Sequence, residues 1–445
     1  MNLMLDDGSR IGVIGGGPAG SLFSYFALTF AERIDLDLQV DIYESRDFTQ
    51  PGPGGCNMCG GIISETLVQY LAAEGIDLPD MVMQRGIDSY VLHTPDRTVR
   101  IDTPVREKRI AAIHRGGGPR DIHEVKWGGL DGHLLSLATG LGAEIRNVRV
   151  TGVDWDDSRP RVSCGQESRT YDLLVGAVGV NAPGLRLFDS LGFGFQPPKT
   201  TKTYITELGL GQEEVNRLFG NSMNLFLTNL HGLHFAAIIP KGDFATVCLL
   251  GDEINKELIE GFFSSPAVQN CFSGEWNPEE GACHCSPKIN IREAINPFTD
   301  RVVLVGDAGV TRLYKDGIGA AYRTSKAAAK TAVFAGVSED DFHRHYEPAC
   351  RAIARDNRYG QLIFTLVDLI HKIPPMTRGT LRLTAWEQSR PRSKNRLSNI
   401  MWDMFTGSAH YRDIFLRCLN PLFWVPFLWM SLLSLKRSRS SERSG

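Results

Sequence analysis

Two glycine-rich segments in this chain have the residue types and spacing that hold phosphate and ribose groups. The first, residues 15–20 (GGGPAG), has the form G-x-G-x-x-G. In that form Gly15 allows a tight turn, Gly17 lets the backbone approach a pyrophosphate, and Gly20 lets a helix pack closely on a strand. Glu44 follows where a ribose hydroxyl needs an acceptor. The pattern predicts a dinucleotide site; the alternative is an ordinary tight turn.

The second segment, residues 306–309 (GDAG), indicates which dinucleotide binds. An NAD domain has no need of it, whereas an extended FAD molecule must also be held at its ribityl chain and flavin ring. Asp307 is suited to hydrogen bonding with ribityl hydroxyls, or to capping a turn. Residues 317–319 (GIG) open a helix whose N–H groups and positive dipole end would face a phosphate or the flavin. We therefore predict FAD.

Four cysteines have spacings that allow redox or metal chemistry. Cys56 and Cys59 form a C-x-x-C pair, and Cys283 and Cys285 form a C-x-C pair. Three alternatives are open: a dithiol that passes electrons to flavin, a four-thiolate site for zinc or an iron–sulfur cluster, and unligated thiols. Unligated thiols are favoured, because a C-x-C pair has poor chelating geometry on one strand.

A basic loop, residues 106–120, is a further candidate site. It suits an anionic headgroup or the phosphates of a prenyl diphosphate, and a solvated flexible turn explains it equally. Its three consecutive glycines, residues 116–118, lie among the basic residues Lys108, Arg109, His114, Arg115 and Arg120.

The elements that must position these residues follow from apolar patterning. Residues 11–14 and 301–305 are strand-like runs that lead into the two glycine segments, and residues 171–177 indicate another buried parallel strand. Period-two alternation over 89–101 and 202–250 predicts a second, antiparallel sheet covering the flavin ring. We therefore predict an α/β fold with a discontinuous Rossmann-like FAD-binding domain, an inserted antiparallel β-sheet substrate domain and a C-terminal helical region.

The predicted domains interleave along the chain, because the two FAD motifs are far apart in sequence. The prediction assigns residues 10–85, 120–195 and 290–336 to the FAD-binding domain, 86–119 and 196–289 to the substrate domain, 337–412 to the helical region, 413–435 to a hydrophobic membrane-associating segment, and 436–445 to a basic disordered tail.

Composition restricts the class of partner and the compartment. A net charge of −3 predicts no nucleic-acid partner. Nine cysteines without regular spacing, and an N-terminus that lacks a basic-then-apolar signal, indicate a reducing cytoplasmic compartment and no disulfide framework.

The C-terminus has the composition of a membrane-facing segment. From Ile414 the chain is apolar and aromatic, and basic residues follow it from Lys436 onward. Because Pro421 and Pro426 interrupt a helix, we predict an in-plane or re-entrant peripheral anchor whose basic tail contacts anionic lipid. A true membrane span, and a helix packed on the protein's own core or on a partner subunit, are the alternatives.

These motifs, in this order, resemble the geranylgeranyl reductase family within the p-hydroxybenzoate hydroxylase-like flavoproteins. The resemblance covers residues 10–335 approximately, and includes a hairpin at residues 239–243 (IPKGD) and a Cys-Gly-Gly loop at residues 59–61. It implies reduction of isoprenoid double bonds by FAD, with NADPH, ferredoxin or a quinol-type compound as electron donor. It also implies that Cys59 lies beside the flavin. The implied cofactor-binding residues are Gly15, Gly17, Pro18, Ala19, Gly20, Glu44, Cys59, Gly60, Gly61, Gly306, Asp307, Gly317, Ile318 and Gly319.

The chain also departs from the family pattern, so the resemblance by itself does not identify the substrate. The departures are His234, Phe235 and Ala237 in place of the usual Trp and Tyr before the Pro-Lys-Gly turn, Val178-Gly179 in place of the hydroxylase Asp-Gly motif, Trp127 in place of a typical Arg before Asp131, and a second motif without the common Pro in residues 311–316.

Reduction of an unactivated C=C bond requires a hydride and a proton donor in a site shielded from water. Cys59 is the leading catalytic candidate, as a proton donor or as a polar wall of the flavin site; a buried structural thiol is the alternative. The weaker donor candidates, each also explained as a surface or core residue, are His234, Lys241, Tyr314 and Lys315.

The predicted activity is a membrane-associated, FAD-dependent reductase of isoprenoid lipids, with a membrane surface and an electron-donor protein as partners. One alternative is an FAD-dependent monooxygenase or halogenase, although the chain lacks the hydroxylase Asp-Gly motif and any Gly-Trp-x-Trp-x-Ile-Pro box. Another is a flavin electron-transfer subunit of a membrane complex that uses Cys56 and Cys59 as its redox port.

Overall fold

The structure is a computed structural model that describes residues 3–56, 59–95, 97–104, 110–120, 122, 124–181, 183–228, 230–272, 282–390 and 396–441. The chain divides into two compact units, each built from three segments. Unit 1 comprises Met1–Met58, His114–Thr201 and Pro287–Arg355, and unit 2 comprises Cys59–Ile113, Lys202–Ser286 and Asp356–Gly445. Residues 59–85, which the sequence assigns to the FAD-binding domain, therefore belong to unit 2.

The described elements are strands and helices up to Leu304, with several runs of consecutive strands, and from Gly317 onward they are helical. The strands are β1 (Ser9–Ile14), β2 (Leu38–Tyr43), β3 (Ile62–Ile63), β4 (Met83–Ile87), β5 (Ser89–His93), β6 (Thr98–Asp102), β7 (Ile110–Ile113), β8 (Glu144–Arg146), β9 (Gly152–Asp156), β10 (Arg159–Cys164), β11 (Glu167–Thr170), β12 (Leu173–Gly176), β13 (Lys199–Gly209), β14 (Ser222–Phe226), β15 (Leu233–Lys241), β16 (Phe244–Gly251), β17 (His284–Cys285), β18 (Lys288–Arg292), β19 (Phe298–Thr299) and β20 (Val302–Leu304). The helices are α1 (Pro18–Glu32), α2 (Glu65–Ala73), α3 (Leu130–Gly140), α4 (Gln212–Leu218), α5 (Lys256–Phe263), α6 (Pro266–Gln269), α7 (Gly317–Phe334), α8 (Glu339–Asp341), α9 (Glu347–His371), α10 (Pro374–Gln388), α11 (Arg396–Thr406), α12 (Tyr411–Cys418) and α13 (Pro421–Ser441).

Unit 1 contains the predicted parallel sheet. Its strand order is β19-β20-β12-β1-β2-β8, and only the β19–β20 pair is antiparallel. The strands β12 and β20 are buried along their whole length, as expected for a parallel sheet covered on both faces. Because the chain order reverses on either side of β1, the crevice beyond the carboxyl ends of β1 and β12 is where such sheets bind ligands.

Unit 1 also has a small antiparallel sheet, β11-β10-β9, that the sequence did not predict. It packs on the core around Phe188 and Tyr171. The hydroxyl of Tyr171 donates a hydrogen bond to Asp41 Oδ2 at 2.8 Å, which ties β2 to the end of this sheet. The small sheet therefore supports the parallel sheet rather than the glycine segments.

Unit 2 contains the second sheet that the sequence predicts, in the order β17-β13-β16-β15-β14-β5-β6; its neighbouring strands are antiparallel except β14 and β5, which are parallel. The hairpin β15–β16 turns at Gly242, whose φ of 44° is in the left-handed region that favours glycine. One face of the sheet packs on α5 through a cluster that includes Phe226 and Phe262, whose ring centroids are 5.4 Å apart. The hairpin register places Lys241 opposite Phe244, at the end of the sheet.

The last helix, α13, corrects two sequence expectations. It begins at Pro421, where a missing N–H costs nothing, and it continues through Pro426 instead of being interrupted there. Residues 436–441, expected to be disordered, extend the same helix. Within the part of the chain that the structure describes, no helix combines the length and the apolar character that crossing a bilayer requires.

Candidate cofactor site

The first glycine segment forms a tight turn between β1 and α1 that only glycine permits. Gly15 has a φ of 106°, and a Cβ atom built on it would lie 2.5 Å from the carbonyl oxygen of Ala177. A Cβ atom on Gly20 would lie 1.9 Å from the carbonyl oxygen of Gly15. The turn therefore has the close helix–strand packing that the motif predicts.

The N-terminus of α1 is open to an anion. Gly17 is its N-cap, Pro18 is its first residue, and neither a capping side chain nor an acidic residue lies in the first turn. A Cβ atom on Gly17 would meet nothing closer than Nη2 of Arg115, at 3.7 Å. Uncapped N–H groups and the positive dipole end favour a phosphate at this point.

Arg115, one of the basic-loop residues predicted to hold an anion, lies beside this turn. Its Nε and Nη2 atoms donate to Oδ1 and Oδ2 of Asp131 at 2.9 and 2.7 Å. Asp131 is fully buried at the start of α3, so the guanidinium is held rigidly beside Gly17. A held arginine next to a helix N-terminus is a good pyrophosphate ligand.

Glu44 lies at the turn, as predicted. Its Oε2 accepts a hydrogen bond from the N–H of Gly16 at 3.0 Å. Its Oε1 accepts from the backbone N–H and Nε of Arg46, at 3.0 and 3.1 Å. Nη2 of Arg46 also donates to Oε2 at 3.2 Å, so a ribose hydroxyl at Glu44 would replace part of the Arg46 contact.

The second glycine segment reaches the first in space. A Cβ atom on Gly306 would lie 2.7 Å from Cβ of Ala19. Oγ of Ser325, on α7, donates to the carbonyl oxygen of Ala19 at 2.7 Å, and Phe26 of α1 contacts Tyr322 of α7 with ring centroids 5.8 Å apart. The two motifs predicted to hold one FAD molecule therefore lie together in unit 1.

Asp307 has a buried side-chain oxygen without a described hydrogen-bond partner. Its Oδ1 is buried and accepts no hydrogen bond from any residue that the structure describes. Asn290 donates to the carbonyl oxygen of Asp307 at 2.9 Å, and the side-chain oxygen of Asn290 is likewise buried without a described partner. Burial raises the pKa of Asp307, while the charge of Arg115 and a side-chain hydrogen bond between Thr311 and the carboxylate oppose the rise. Buried acceptors are almost always paired, so these two oxygens fit hydroxyl or amide donors of a bound molecule.

The start of α7 lies against this carboxylate. A Cβ atom on Gly317 would lie 3.3 Å from Oδ1 of Asp307, and Asp316 before it has a φ of 59°. Ile318 and Gly319 complete the first turn, and a Cβ atom on Gly319 would collide with the Asp316 side chain. The first turn of α7 therefore packs directly against the side chains of Asp307 and Asp316.

Two weaker donor candidates precede α7. Tyr314 has a φ of 62°, so it is held in a left-handed conformation that costs energy for a side-chain-bearing residue. Burial, followed by the charge of Arg312, lowers the pKa of Lys315 well below its usual value. A lysine with a lowered pKa exchanges its proton more readily near neutral pH.

The Cys-Gly-Gly loop lies in unit 2. The N–H of Gly61 donates to Sγ of Cys59 at 3.2 Å, and the carbonyl oxygen of Gly61 accepts from Ile113 at 2.7 Å. Gly61 has a φ of 60°, and a Cβ atom on it would lie 2.8 Å from Nζ of Lys241. A Cβ atom on Gly60 would make only ordinary contacts, at 3.4 Å from Ile239 and 3.6 Å from Cys248. The loop therefore needs glycine at position 61, where both the backbone angle and the space exclude a side chain.

Lys241 is a buried lysine that sequence analysis ranked as a weak candidate. Only 1% of it is exposed. Its Nζ donates to the carbonyl oxygen of Cys59 at 3.0 Å and lies 3.5 Å from Oε1 of Glu207, whose Oε2 accepts from Thr246 at 2.8 Å. Glu207 is also buried, so the Lys241–Glu207 ion pair keeps Nζ of Lys241 against the backbone of the Cys-Gly-Gly loop.

The two cysteine pairs are distributed over both units. Cys56 lies in unit 1, and Cys59, Cys283 and Cys285 lie in unit 2; none of these four described residues forms a disulfide. Burial raises the pKa of Cys285 to about 12, which disfavours its thiolate form. Within the described residues, no group of three or more His, Cys, Asp or Glu side chains is placed to hold a metal ion.

The part of the basic loop that follows β7, residues 114–120, is not the solvated turn that was one of the alternatives. Its glycines 116–118 are buried, and a Cβ atom on Gly117 would lie 2.2 Å from the carbonyl oxygen of Gln50. His114 stacks on Trp127 with ring centroids 4.3 Å apart. Of its basic residues, Lys108 and Arg109 lie outside the described residues, Arg120 is exposed, and Arg115 faces the α1 turn.

His234 is half-buried and pairs with an exposed residue. Its Nε2 forms a hydrogen bond of 3.0 Å with the exposed carboxylate of Asp252. This arrangement is that of a surface pair on the hairpin.

Comparison with solved structures finds this fold in flavin-dependent proteins. A geranylgeranyl bacteriochlorophyll reductase-like protein from Thermoplasma acidophilum is 14% identical, with a TM-score of 0.62 over 82% of this chain and 91% of that one. The flavin-dependent brominase Bmp2 is 15% identical, with a TM-score of 0.58 over 97% and 99%. A variant of the halogenase PltM in complex with FAD is 13% identical, with a TM-score of 0.58 over 98% and 93%. No protein-family model and no curated protein matches the chain.

These likenesses, at low identity, show the fold. The predicted α/β class with a Rossmann-like part is confirmed, and the reductase-like protein that the motifs suggested is among the structures that share the fold. FAD is a cofactor of this fold, because it is present in the PltM complex.

Proposed function

We propose that this chain is an FAD-dependent oxidoreductase that reduces carbon–carbon double bonds of isoprenoid lipids at a membrane. The observation that carries the cofactor assignment is the buried, unpartnered Oδ1 of Asp307, within the described residues, beside two glycine motifs that meet in space. Residues of unit 1 fit FAD along its length. Arg115 and the start of α1 would hold the pyrophosphate, Glu44 a ribose, and Asp307 the ribityl chain.

The resemblance of the Cys-Gly-Gly and Pro-Lys-Gly segments to geranylgeranyl reductases supports the substrate class. When bound and reduced, FAD supplies a hydride, and saturation of a C=C bond also requires one proton. The Cys59 thiol is the proposed proton donor. Nζ of Lys241 holds the backbone of Cys59 through a hydrogen bond to its carbonyl oxygen, and Glu207 pairs with that lysine.

The membrane part of the proposal is supported by the C-terminal helices, whose outer surface carries large exposed apolar side chains such as Trp429 and Leu432. An isoprenoid substrate is dissolved in a bilayer, so a reductase must meet it there. The nine free cysteines support a reducing, cytoplasmic environment.

A second candidate is a halogenase or monooxygenase. It is favoured by the likeness to the brominase Bmp2, which covers nearly all of both chains. Val178-Gly179 in place of the hydroxylase Asp-Gly motif argues against a monooxygenase. A flavin electron-transfer subunit is a third candidate, for which Cys56 and Cys59 would be the redox port.

One experiment separates the three candidates. FAD-loaded protein is reduced with dithionite without oxygen and mixed with total membrane lipid extract, and the lipids are analysed by mass spectrometry. Products heavier by two hydrogens support the reductase. Products that appear only in air and gain oxygen, or gain bromine when bromide is added, support the second candidate. Fast reduction of an electron acceptor without any lipid product supports the third.

The role of Cys59 is tested by separating the two half-reactions. Cys59→Ser is expected to slow oxidation of the reduced flavin by lipid at least about 10-fold, because the weaker acid transfers its proton less readily. Reduction of the flavin by dithionite should be unchanged. Stopped-flow absorbance measures both rates, and equal slowing of the two would show that Cys59 is structural. Cys164→Ser, in unit 1, is the matched control.

A further inference from the structure

Helix α13 distributes its polar and apolar side chains in the opposite way to a helix on the surface of a water-soluble protein. Its side toward the protein is formed by Phe427, Ser431 and Ser434, which are 1–6% exposed. Its outer side carries Leu422, Val425, Leu428, Trp429, Leu432 and Leu433, which are 40–70% exposed. At 100° per residue these six positions occupy an arc of about 140°, opposite the buried serines. We call these six residues the outer face of α13.

The packing of α13 on α10 requires the serines on the inner side and the large apolar side chains on the outer side. A Cβ atom on Gly379 of α10 would lie 2.8 Å from both N and Cα of Ser431. The two helix backbones therefore approach closely through a glycine and a serine. Small residues at a close helix crossing, with large apolar side chains turned outward, are the arrangement of helices surrounded by lipid. A rotation that buried the outer face would replace Ser431 by a leucine, for which Gly379 leaves no room.

The neighbouring helix extends the outer face. Leu416 and Leu419, at and just after the end of α12, are 50% and 57% exposed and directly precede α13 in the chain. Contiguous exposed apolar surface of this size marks a binding surface.

The charge of the C-terminal part shows what that surface binds. Residues 356–445 contain 14 Lys and Arg residues against six Asp and Glu residues, a net charge of +8, although the whole chain has −3. Lys436, Arg437 and Arg439 follow the outer face immediately. An apolar helix face flanked by basic residues matches a bilayer with anionic headgroups, since the leucines and tryptophan enter the acyl boundary and the cations meet the phosphates.

We propose that the outer face of α13 is a docking surface for an anionic phospholipid bilayer, on which α13 lies parallel to the membrane plane. The proposal rests on the proposed function only for its purpose, which is access to a lipid substrate, and it is tested without turnover. It differs from a transmembrane anchor because one side of the helix packs on α10 at the Gly379–Ser431 crossing.

The test is co-sedimentation of the full-length, FAD-loaded protein with vesicles. Binding is expected to vesicles of phosphatidylcholine with 30% phosphatidylserine, and to be weaker with pure phosphatidylcholine or in high salt. The double variant Trp429→Ser/Leu432→Ser should bind at least about 10-fold more weakly, because two large apolar side chains no longer enter the bilayer. Tyr70→Ser/Met81→Ser removes exposed apolar side chains elsewhere in unit 2 and should bind normally.

Three results would overturn the proposal. One is equal vesicle binding by the wild type and the Trp429→Ser/Leu432→Ser variant. Another is absence of binding to both kinds of vesicle by the wild type. The third is a stable dimer in light scattering that dissociates in the variant, which would make a second copy of the chain the occupant. Failure of the reductase function is read separately: the variant should still oxidise reduced flavin with a detergent-dispersed isoprenoid alcohol at the wild-type rate.

Discussion

We expect Gly17 to be required for binding and not for folding. A Cβ atom on it would lie 3.7 Å from Nη2 of Arg115 and 4.0 Å from Oδ2 of Asp131, so a side chain fits in the free protein but would fill the proposed place of a pyrophosphate. Gly17→Val is expected to fold with nearly wild-type stability and to lose FAD affinity at least about 100-fold. Isothermal titration and thermal unfolding measure both quantities. Gly54→Val, in open space in the same unit, is the control, and yellow protein from Gly17→Val would contradict the assignment.

Asp307 links stability to function through its raised pKa. Since burial raises the folded-state pKa above the unfolded value, the folded protein holds the proton more tightly, and stability falls as pH rises through that pKa. Asp307→Asn should therefore make the FAD-free protein more stable than wild type at pH 7, and the difference should shrink toward pH 4. FAD affinity should fall about 10-fold, from the loss of a charged acceptor.

The control for that experiment is Asp189→Asn, at an exposed position of unit 1. Urea unfolding from pH 4 to pH 8 measures the free energies. A stability difference that is independent of pH would show that Asp307 is not the titrating group.

Lys241 and Glu207 form a buried ion pair whose main effect is to fix the position of the Cys59 loop rather than to add stability. Lys241→Met leaves the Glu207 carboxylate buried without its cation and should cost about 3–5 kcal/mol of unfolding free energy. The double variant Lys241→Met/Glu207→Leu should recover at least half of that loss, because no buried charge remains. Chemical unfolding gives the full cycle. Arg217→Met, which breaks the exposed Arg217–Glu214 pair, should leave stability nearly unchanged.

At the scale of elements, the contact between α10 and α13 depends on one glycine. Gly379→Val would place side-chain atoms where Ser431 lies and should detach α13, at a cost of about 1–3 kcal/mol. Hydrogen exchange should then accelerate in residues 421–434 and stay slow in β1 and β12. Gly140→Val, on α3 with no atom near its missing Cβ, is the matched control. Unchanged protection of α13 would show that the helix does not depend on this crossing.

An element could be predicted from the sequence when the residues that determine it lie close together in the chain. The β1–turn–α1 unit follows from a few consecutive residues, because apolar runs and glycines at fixed spacing specify it. The β15–β16 hairpin follows for the same reason. The course of α13 through Pro426 was predicted wrongly, since its packing against α10 compensates for a lost backbone hydrogen bond.

At the scale of the whole molecule, the segments predicted to hold FAD come from three parts of the chain. Because the predicted nucleotide, pyrophosphate and ribityl ligands all belong to unit 1, FAD at 100 times its Kd should raise the free energy of unfolding of that unit by about 2.7 kcal/mol. Calorimetry with and without FAD measures the shift. If the units unfold in separate transitions, only one should move, and Gly17→Val should abolish the movement. A shift of every transition in that variant would mean that FAD binds elsewhere.

The sequence by itself determined the α/β class, the two glycine motifs and the apolar C-terminal segment, because each is written in residues close together in the chain. Only the tertiary structure decided that Arg115 is held by Asp131 beside Gly17, that Asn290 and Asp307 share a buried polar site, and that Lys241 pairs with Glu207. It also decided which side of α13 faces outward. Such contacts join residues that are distant in sequence, and their energies depend on burial, which no local pattern of residues specifies.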